Sequence, residues 1–143
     1  MKDLHVSILE RLRYEKAGVQ VISDAVSGRV FGEFADHGTV KPYITFDHVS
    51  TVSDHLGFSE TDKMLHRAQV VIRVYGDIES GAESVCVIAD EILESFNFYT
   101  DLTVESFESI NYKITSGTTI DRVDDTVVAA VGLLAHGIQN TGV

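Results

Sequence analysis

The clearest pattern along the chain is an alternation of apolar and polar residues over residues 64–76. A period of two residues predicts a β-strand with one face in the core and the other in water. The apolar face comprises Met64, Ala68, Val70, Ile72 and Val74. The polar face comprises Arg67, Gln69, Arg73 and Tyr75.

Two neighbouring segments complete the predicted core. Residues 41–47 include a proline near their start, which cannot donate to a strand ladder and so suits the beginning of a strand. Ile44 and Phe46 would share the buried face of this strand. After the central strand, apolar residues recur at spacings of three and four, as on one side of an amphipathic helix. They are Ala82, Val85, Cys86, Ala89, Ile92, Leu93 and Phe96. Ser80 is the candidate cap, and Glu83 completes a capping box.

The N-terminal part contains a helix and two short extended segments. Apolar residues at intervals of four predict a helix over residues 3–16, with Asp3 as its cap and Gly18 after its end. Residues 19–22 and 29–33 are expected to be short strands.

Two strands are expected in the C-terminal part. Residues 103–114 alternate, and the residues of their apolar face are Val104, Ile110, Tyr112 and Ile114. A turn at residues 116–118 would lead to a second strand over residues 126–138, antiparallel to the first. A helix is the alternative for that apolar block, but Gly132 would weaken a helix and the alternation favours a strand.

These elements predict an α+β fold, in which two helices pack on one face of a mostly antiparallel sheet. We expect residues 1–143 to form a single domain. A long loop or hairpin of about 16 residues, 48–63, lies between two strands, and connections of that length usually bind partners or form disordered tips. Within it, the candidate contact residues are Val49, Leu56 and Phe58. The alternative is that these residues pack locally beneath the loop.

Composition narrows the possible functions. Asp and Glu number 22 against 11 Lys and Arg, which gives a net charge of -11 and argues against a general nucleic-acid-binding surface. The only cysteine, Cys86, cannot form an internal disulfide and is expected to be a small core residue. No apolar run approaches the roughly 18 residues of a membrane span, so no membrane association is expected.

Candidate catalytic and metal-binding patterns are sparse. The six histidines include no pair at the i, i+4 spacing of a zinc helix, and neither a Gly-x-Ser-x-Gly elbow nor a phosphate-binding glycine loop occurs. We therefore expect no enzyme activity and no cofactor. The one cluster that keeps an enzyme or ligand-binding domain open as an alternative is Asp47, His48, Asp54 and His55.

The order of these features resembles the tail completion, or tail terminator, proteins of long-tailed bacteriophages and prophages. The resemblance spans Leu4 to about Phe96 and includes an N-terminal helix, an Arg-Val-Phe segment, a polar loop and three sequence motifs. These are Lys-Pro-Tyr-Ile-Thr-Phe from Lys41, His-Arg-x-x-Val-x-Ile-x-Val-Tyr from His66 and Ser-Gly-x-Glu from Ser80. None of them contains a catalytic residue.

The resemblance implies a structural role in the virion. The family forms a ring, usually of six subunits, that caps the head-proximal end of the finished tail tube and docks to the head connector. The implied partners are other copies of the chain, the tail tube protein and the head connector or stopper protein, with DNA passing through unbound. Arg67, Gln69 and Arg73 could then contact a neighbouring subunit. Candidates for an acidic lumen are Asp54, Glu60 and Asp62. Another head-completion or minor tail protein remains an alternative.

Overall fold

The computed structural model describes residues 2–13, 21–32, 35, 38–56, 63–104 and 107–140. The helices are α1 (Lys2–Arg13), α2 (Val21–Ala25) and α3 (Gly81–Phe96), with a 3-10 turn at Ile78–Ser80 before α3. The strands are β1 (Val30–Gly32), β2 (Tyr43–Leu56), β3 (Lys63–Asp77), β4 (Thr100–Asp101), β5 (Ser109–Val123) and β6 (Thr126–Asn140). They form one six-stranded sheet in the order β1-β2-β3-β6-β5-β4, in which only the pair β1 and β2 is parallel.

The α+β fold is confirmed, since the helices cover one face of this mostly antiparallel sheet. The predicted alternation of the central strand is correct, because Ala68, Val70, Ile72 and Val74 are fully buried. Ile44 and Phe46 share their face, as expected. Val26, directly after α2, packs in the same core together with the helical residues Leu4, Ile8, Leu12, Ile22, Val85, Ile88, Ala89, Ile92 and Phe96. Among the described residues, no helix is both long and apolar enough to cross a membrane.

The centre of the sheet is the pairing of β3 with β6, which joins the β2–β3 hairpin to the β5–β6 hairpin. β3 pairs with β6 without interruption, from Lys63 opposite Asn140 to Asp77 opposite Thr126. The strand prediction for residues 126–138 is therefore correct. The predicted loop at residues 48–63 is a hairpin in its described part, because β2 continues to Leu56 and β3 begins at Lys63.

Several local predictions are wrong. Residues 21 and 22 begin helix α2, in which Ile22 and the nearby Val26 reach the core, while residues 19 and 20 lie outside the described part. Residues 116–118 form no turn: β5 continues through them with two irregularities in register, and the chain turns at Asp124 and Asp125.

Smaller differences concern caps and edges. Asp3 lies within α1, which begins at Lys2, and Gly18 is outside the described residues. Ser80 is the N-cap of α3, but its side chain makes no capping hydrogen bond. Cys86 is half-buried and lies at the margin of the core. The two-residue strand β4 was not predicted.

A buried polar cluster joins α1 to β4 and β5. The Ser7 hydroxyl donates to a carboxylate oxygen of Asp101 at 2.6 Å and lies 2.5 Å from the Tyr112 hydroxyl. The backbone amide and hydroxyl of Thr103 donate to the other carboxylate oxygen of Asp101, at 2.9 and 2.6 Å. Both carboxylate oxygens of Asp101 are therefore paired, and this network fixes the end of the sheet against the helix.

Gly76 allows α3 to pack closely on β3. A Cβ atom at this position would lie 2.5 Å from Cγ1 of Val85, which is fully buried. We expect Gly76→Ala to lower the free energy of unfolding by about 1–3 kcal/mol, because the helix must shift away from the sheet. Urea unfolding measures this change, and Gly117→Ala is the control, since no atom lies within 4 Å of a Cβ there. Equal values for both variants would contradict the close contact.

Candidate assembly surface

The face of the sheet opposite the helices is not covered by any element that the structure describes. We call it the outer face. Its five rows across β2, β3, β6 and β5 are Tyr43, Tyr75, Val128 and Asp121; Thr45, Arg73, Ala130 and Thr119; Asp47, Val71, Gly132 and Ser116; Ser50, Gln69, Leu134 and Lys113; and Val52, Arg67, His136 and Asn111. The middle rows include the apolar residues Val71, Ala130 and Leu134. Asp47, also in the central row, forms an ion pair with Arg73, and further charged side chains lie toward both ends.

At one end of the outer face is a cavity of about 530 Å³, which we call the tyrosine cavity. The rings of Tyr43 and Tyr75 stack beside it, with centroids 4.6 Å apart. Burial and the neighbouring Tyr75 phenol raise the pKa of Tyr43, so its ring is neutral over the ordinary pH range. Val128 and Ala130 also line the cavity. It therefore combines an aromatic wall with an apolar floor.

Carboxylates surround this cavity. Asp121, Asp124 and Asp125, from the β5–β6 hairpin, line it together with one cation, Arg73. The hydrogen bond from Lys41 lowers the pKa of Asp125, at an Nζ to Oδ1 distance of 3.3 Å. With three carboxylates against one guanidinium, the lining carries a net negative charge.

Two of the neighbouring cations are already paired. Arg73 forms an ion pair with Asp47, which lies two rows from the tyrosines. Lys41 also lies 3.7 Å from a carboxylate oxygen of Asp77. These pairs leave the carboxylates of Asp121 and Asp124 as the groups that can meet an incoming cation.

The opposite end of the outer face is basic. Lys113 and Arg67 lie in its last two rows, and no described side chain of those rows is acidic. His136 lies between them and lines two cavities of about 320 Å³ each. The outer face is therefore acidic at the tyrosine cavity and basic about six residues further along β6.

The structure places the three predicted polar residues of β3, Arg67, Gln69 and Arg73, together on the outer face. Val49 lies in the register irregularity between His48 and Ser50 and is 58% exposed. Phe58, Glu60 and Asp62 fall outside the described residues. Leu56 and Asp54 belong to β2, but their side chains are outside the described part.

The proposed Asp and His cluster does not converge in its described members. Asp47 lies on the outer face and forms an ion pair with Arg73. The His48 ring instead packs edge-on against the His5 ring of α1, with ring centroids 5.9 Å apart. The His48 imidazole also contacts the Thr51 hydroxyl and the carbonyl oxygen of Ser50. The side chains of Asp54 and His55 are outside the described part. Among the described residues, no group of three or more His, Cys, Asp or Glu side chains could hold a metal ion.

His66, on the same side of β3 as the buried residues, is held by hydrogen bonds and by ring packing. Its two ring nitrogens contact the Ser53 hydroxyl at 2.7 Å and the Gln139 side-chain oxygen at 2.9 Å. Phe107 packs edge-on against the same ring. His66 is therefore a structural residue between two hairpins.

Two solved structures have folds similar to that of this chain. A chain of the virion of a native gene transfer agent particle aligns over 87% of this chain and 89% of its own length, with a TM-score of 0.62 and 13% identity. The two chains share a fold. A second solved chain aligns over 97% of this chain and 96% of its own length, with a TM-score of 0.55 and 15% identity. No family model and no curated protein matches the sequence.

Sequence reasoning missed the tyrosine cavity. Tyr43 and Tyr75 are far apart along the chain, and only the register between β2 and β3 brings their rings together. Val71 was also missed, because an apolar residue on the polar side of a strand interrupts the alternation. Both features could have been found by asking which apolar and aromatic residues fall on the predicted wet face.

Proposed function

We propose that this chain is a structural protein of a virion, which caps the head-proximal end of a phage-type tail as a ring of six copies and forms the surface that joins tail to head. The single observation that carries the proposal is the outer face. It is four strands wide, borders three cavities and has apolar residues at its centre, and exposed surfaces of this kind usually mark contacts with other proteins.

Two further observations support this function. The fold matches that of a chain in a gene transfer agent virion over nearly its whole length. The sequence features described above resemble the tail terminator family over the first two thirds of the chain. A structural role also agrees with the positions of Asp47 and His48. Their side chains contact different neighbours and do not converge, so these two residues do not form the candidate ligand cluster.

The proposed ring provides a passage for DNA. A subunit of 15.7 kDa is too small to surround a duplex, so several copies must repeat the same contact around an axis. The net charge of -11 suits a conduit that does not retain DNA, because like charges repel across a channel. We propose Asp54, Glu60 and Asp62 as lumen residues, and Val49, Leu56 and Phe58 as subunit contacts beside the polar residues of β3.

Deletion of the gene in a strain that produces the particles tests this function. We expect tails of uncontrolled length that do not join heads, and wild-type protein supplied from a plasmid should restore joined particles. Mass spectrometry of purified particles should detect the chain at about six copies per tail, the number that the family resemblance implies for a ring with a closed rotation. Normal particles from the deletion strain would refute the proposal.

A substitution in the centre of the outer face separates assembly from folding. Val71→Asp should lower the free energy of unfolding by about 1–2 kcal/mol, since Val71 is half-buried on the open side of β3 and its cross-strand neighbour Asp47 has the same charge. It should nevertheless prevent incorporation into particles, because a buried unpaired carboxylate is costly at an interface. Val87→Asp, at a 58% exposed position on α3, is the matched control and should be incorporated normally. Normal incorporation of both variants would show that the outer face is not the contact.

A further inference from the structure

A protruding apolar corner lies beside β4, at the opposite end of the sheet from the tyrosine cavity. Phe98 and Leu102 flank this two-residue strand and are 77% and 72% exposed. Lys113 of β5 lines the same small cavity as Phe98 and is exposed. We call Phe98, Leu102 and Lys113 the β4 corner.

Phe98 follows Asn97, the C-cap of α3, at a position where helices often have a left-handed residue, usually glycine. Its φ of 59° lies in the left-handed region, which a bulky side chain rarely adopts. Such strain persists where the surrounding structure imposes it, and it is concentrated at functional sites. Glycine would adopt this conformation without strain, so the aromatic ring carries a cost in stability. An exposed ring held in this way suits an anchor for a partner.

The tyrosine cavity has the complementary properties. The cavity is concave, whereas the β4 corner protrudes. The cavity lining has a net negative charge, whereas Lys113 of the corner is positive. Its volume of about 530 Å³ lies within the range of about 300–1,000 Å³ that holds sizeable ligand groups. The stacked tyrosines offer an aromatic surface to a phenyl ring and to an ammonium group.

We propose that the occupant of the tyrosine cavity is the β4 corner of a second copy of this chain. Phe98 and the stem of Lys113 pack against Tyr43 and Tyr75, and the Lys113 ammonium meets Asp121 and Asp124. The inference rests on the proposed ring, for which it names the contact between copies.

The arrangement gives this contact a direction. The corner and the cavity lie at opposite ends of the outer face. Where neighbouring copies overlap only at these ends, the contact is head-to-tail, and each copy that offers a corner still has an empty cavity. Such contacts repeat until the ring closes. The contact also accounts for the separation of Lys113, at the basic end, from Asp121, at the acidic end of the same face.

Charge reversal tests the contact. In the deletion strain, Asp121→Lys or Lys113→Glu alone should reduce incorporation into particles by at least about tenfold, because each places like charges together. The double variant Asp121→Lys with Lys113→Glu should restore incorporation in part, since the pair with position 121 is re-formed with its signs exchanged while Asp124 is unchanged. Asp90→Lys, on the exposed side of α3, is the control and should be incorporated normally.

Mixed expression tests the contact between chains. In a strain that carries both single variants, the unchanged Lys113 of the Asp121→Lys chain meets the unchanged Asp121 of the Lys113→Glu chain. At the next contact around the ring the two substituted side chains face each other, and they too have opposite charges. An alternating ring of even number therefore satisfies every contact, so we expect the mixture to be incorporated although neither variant is incorporated alone. Absence of rescue by both the mixture and the double variant would overturn the pairing.

Phe98→Gly provides an independent measurement. Because glycine adopts a positive φ without strain, this variant should be at least as stable to urea as the wild type. Its incorporation should nevertheless fall by about tenfold through loss of the aromatic anchor. Normal incorporation of Phe98→Gly and of both charge variants, with wild-type protein in the particles, would overturn the contact and leave the proposed function standing. Wild-type protein absent from particles would overturn both.

Discussion

Replacing Asp101 by alanine is expected to lower the free energy of unfolding by about 3 kcal/mol, because hydrogen bonds to a charged group contribute about 1.5–3 kcal/mol each and the buried Ser7 hydroxyl loses its carboxylate acceptor, whereas water can reach the exposed Thr103. The side chain is 4% exposed and accepts from Ser7 and twice from Thr103. Chemical denaturation at neutral pH measures the change. The control is Asp90→Ala, an exposed position where the change should be below about 0.5 kcal/mol. Equal losses for the two variants would contradict the importance of the buried network.

The same side chain should make the protein sensitive to acid. Burial raises the pKa of Asp101, but the hydrogen bonds from Ser7 and Thr103 and the charge of Arg11 outweigh burial and hold the pKa below its ordinary value of 3.8. A lowered folded-state pKa adds stability above the unfolded-state value, and this contribution is lost as the pH falls through the folded-state pKa. Between about pH 4 and pH 2, the wild type should therefore lose more stability than Asp101→Ala. Parallel pH profiles would contradict this account.

Ile72→Ala should lower the free energy of unfolding by about 3–4 kcal/mol, because it leaves a cavity in the middle of the core. Ile72 is fully buried at the centre of β3, opposite Phe46 on β2 and Val131 on β6. Both neighbours are themselves buried and held by long strands, so the site cannot collapse to fill the space.

The adjacent position supplies the control for this measurement. Val71 precedes Ile72 on the same strand but lies on the outer face, half-buried. Val71→Ala should change the free energy of unfolding by less than about 1 kcal/mol in the same urea titration. A similar loss for both variants would mean that the two faces of β3 are equally buried, contrary to the structure.

The sequence predicted the elements whose side chains repeat toward a common core. β3, β6 and α3 were found because burial imposes a period of two or of three and four on Ile72, Val131 and Ile92. The short helix α2 was missed, since the apolar residues of the segment 19–22 fit either period. The helical signal was the spacing of four between Ile22, in α2, and Val26, directly after it, both of which are buried.

Edge elements and surfaces could not be predicted in the same way. The residues of β5 after Ile114 are mostly exposed, so no periodic burial distinguishes strand from turn there, and Gly117 suggested a turn. The chain instead turns at Asp124, whose φ is 54°. Asp tolerates this conformation, but the conformation does not require Asp, so the residue type did not identify the turn. The tyrosine cavity depends on pairing between distant strands, which no local pattern encodes.

The two strands with register irregularities, β2 and β5, affect how readily copies of the chain associate through their strand edges. In the described part of the chain, β1 covers only Ile44 to Phe46 of β2, and β4 covers only Ile110 and Asn111 of β5, so both strands have long unpaired edges. The register irregularities of the sheet occur in these two strands, after His48 and after Ile114, whereas β3 and β6 pair regularly. Bulges twist an edge away from the flat geometry that recruits foreign strands. The bulges should therefore make these two edges poor templates for strand pairing with another copy.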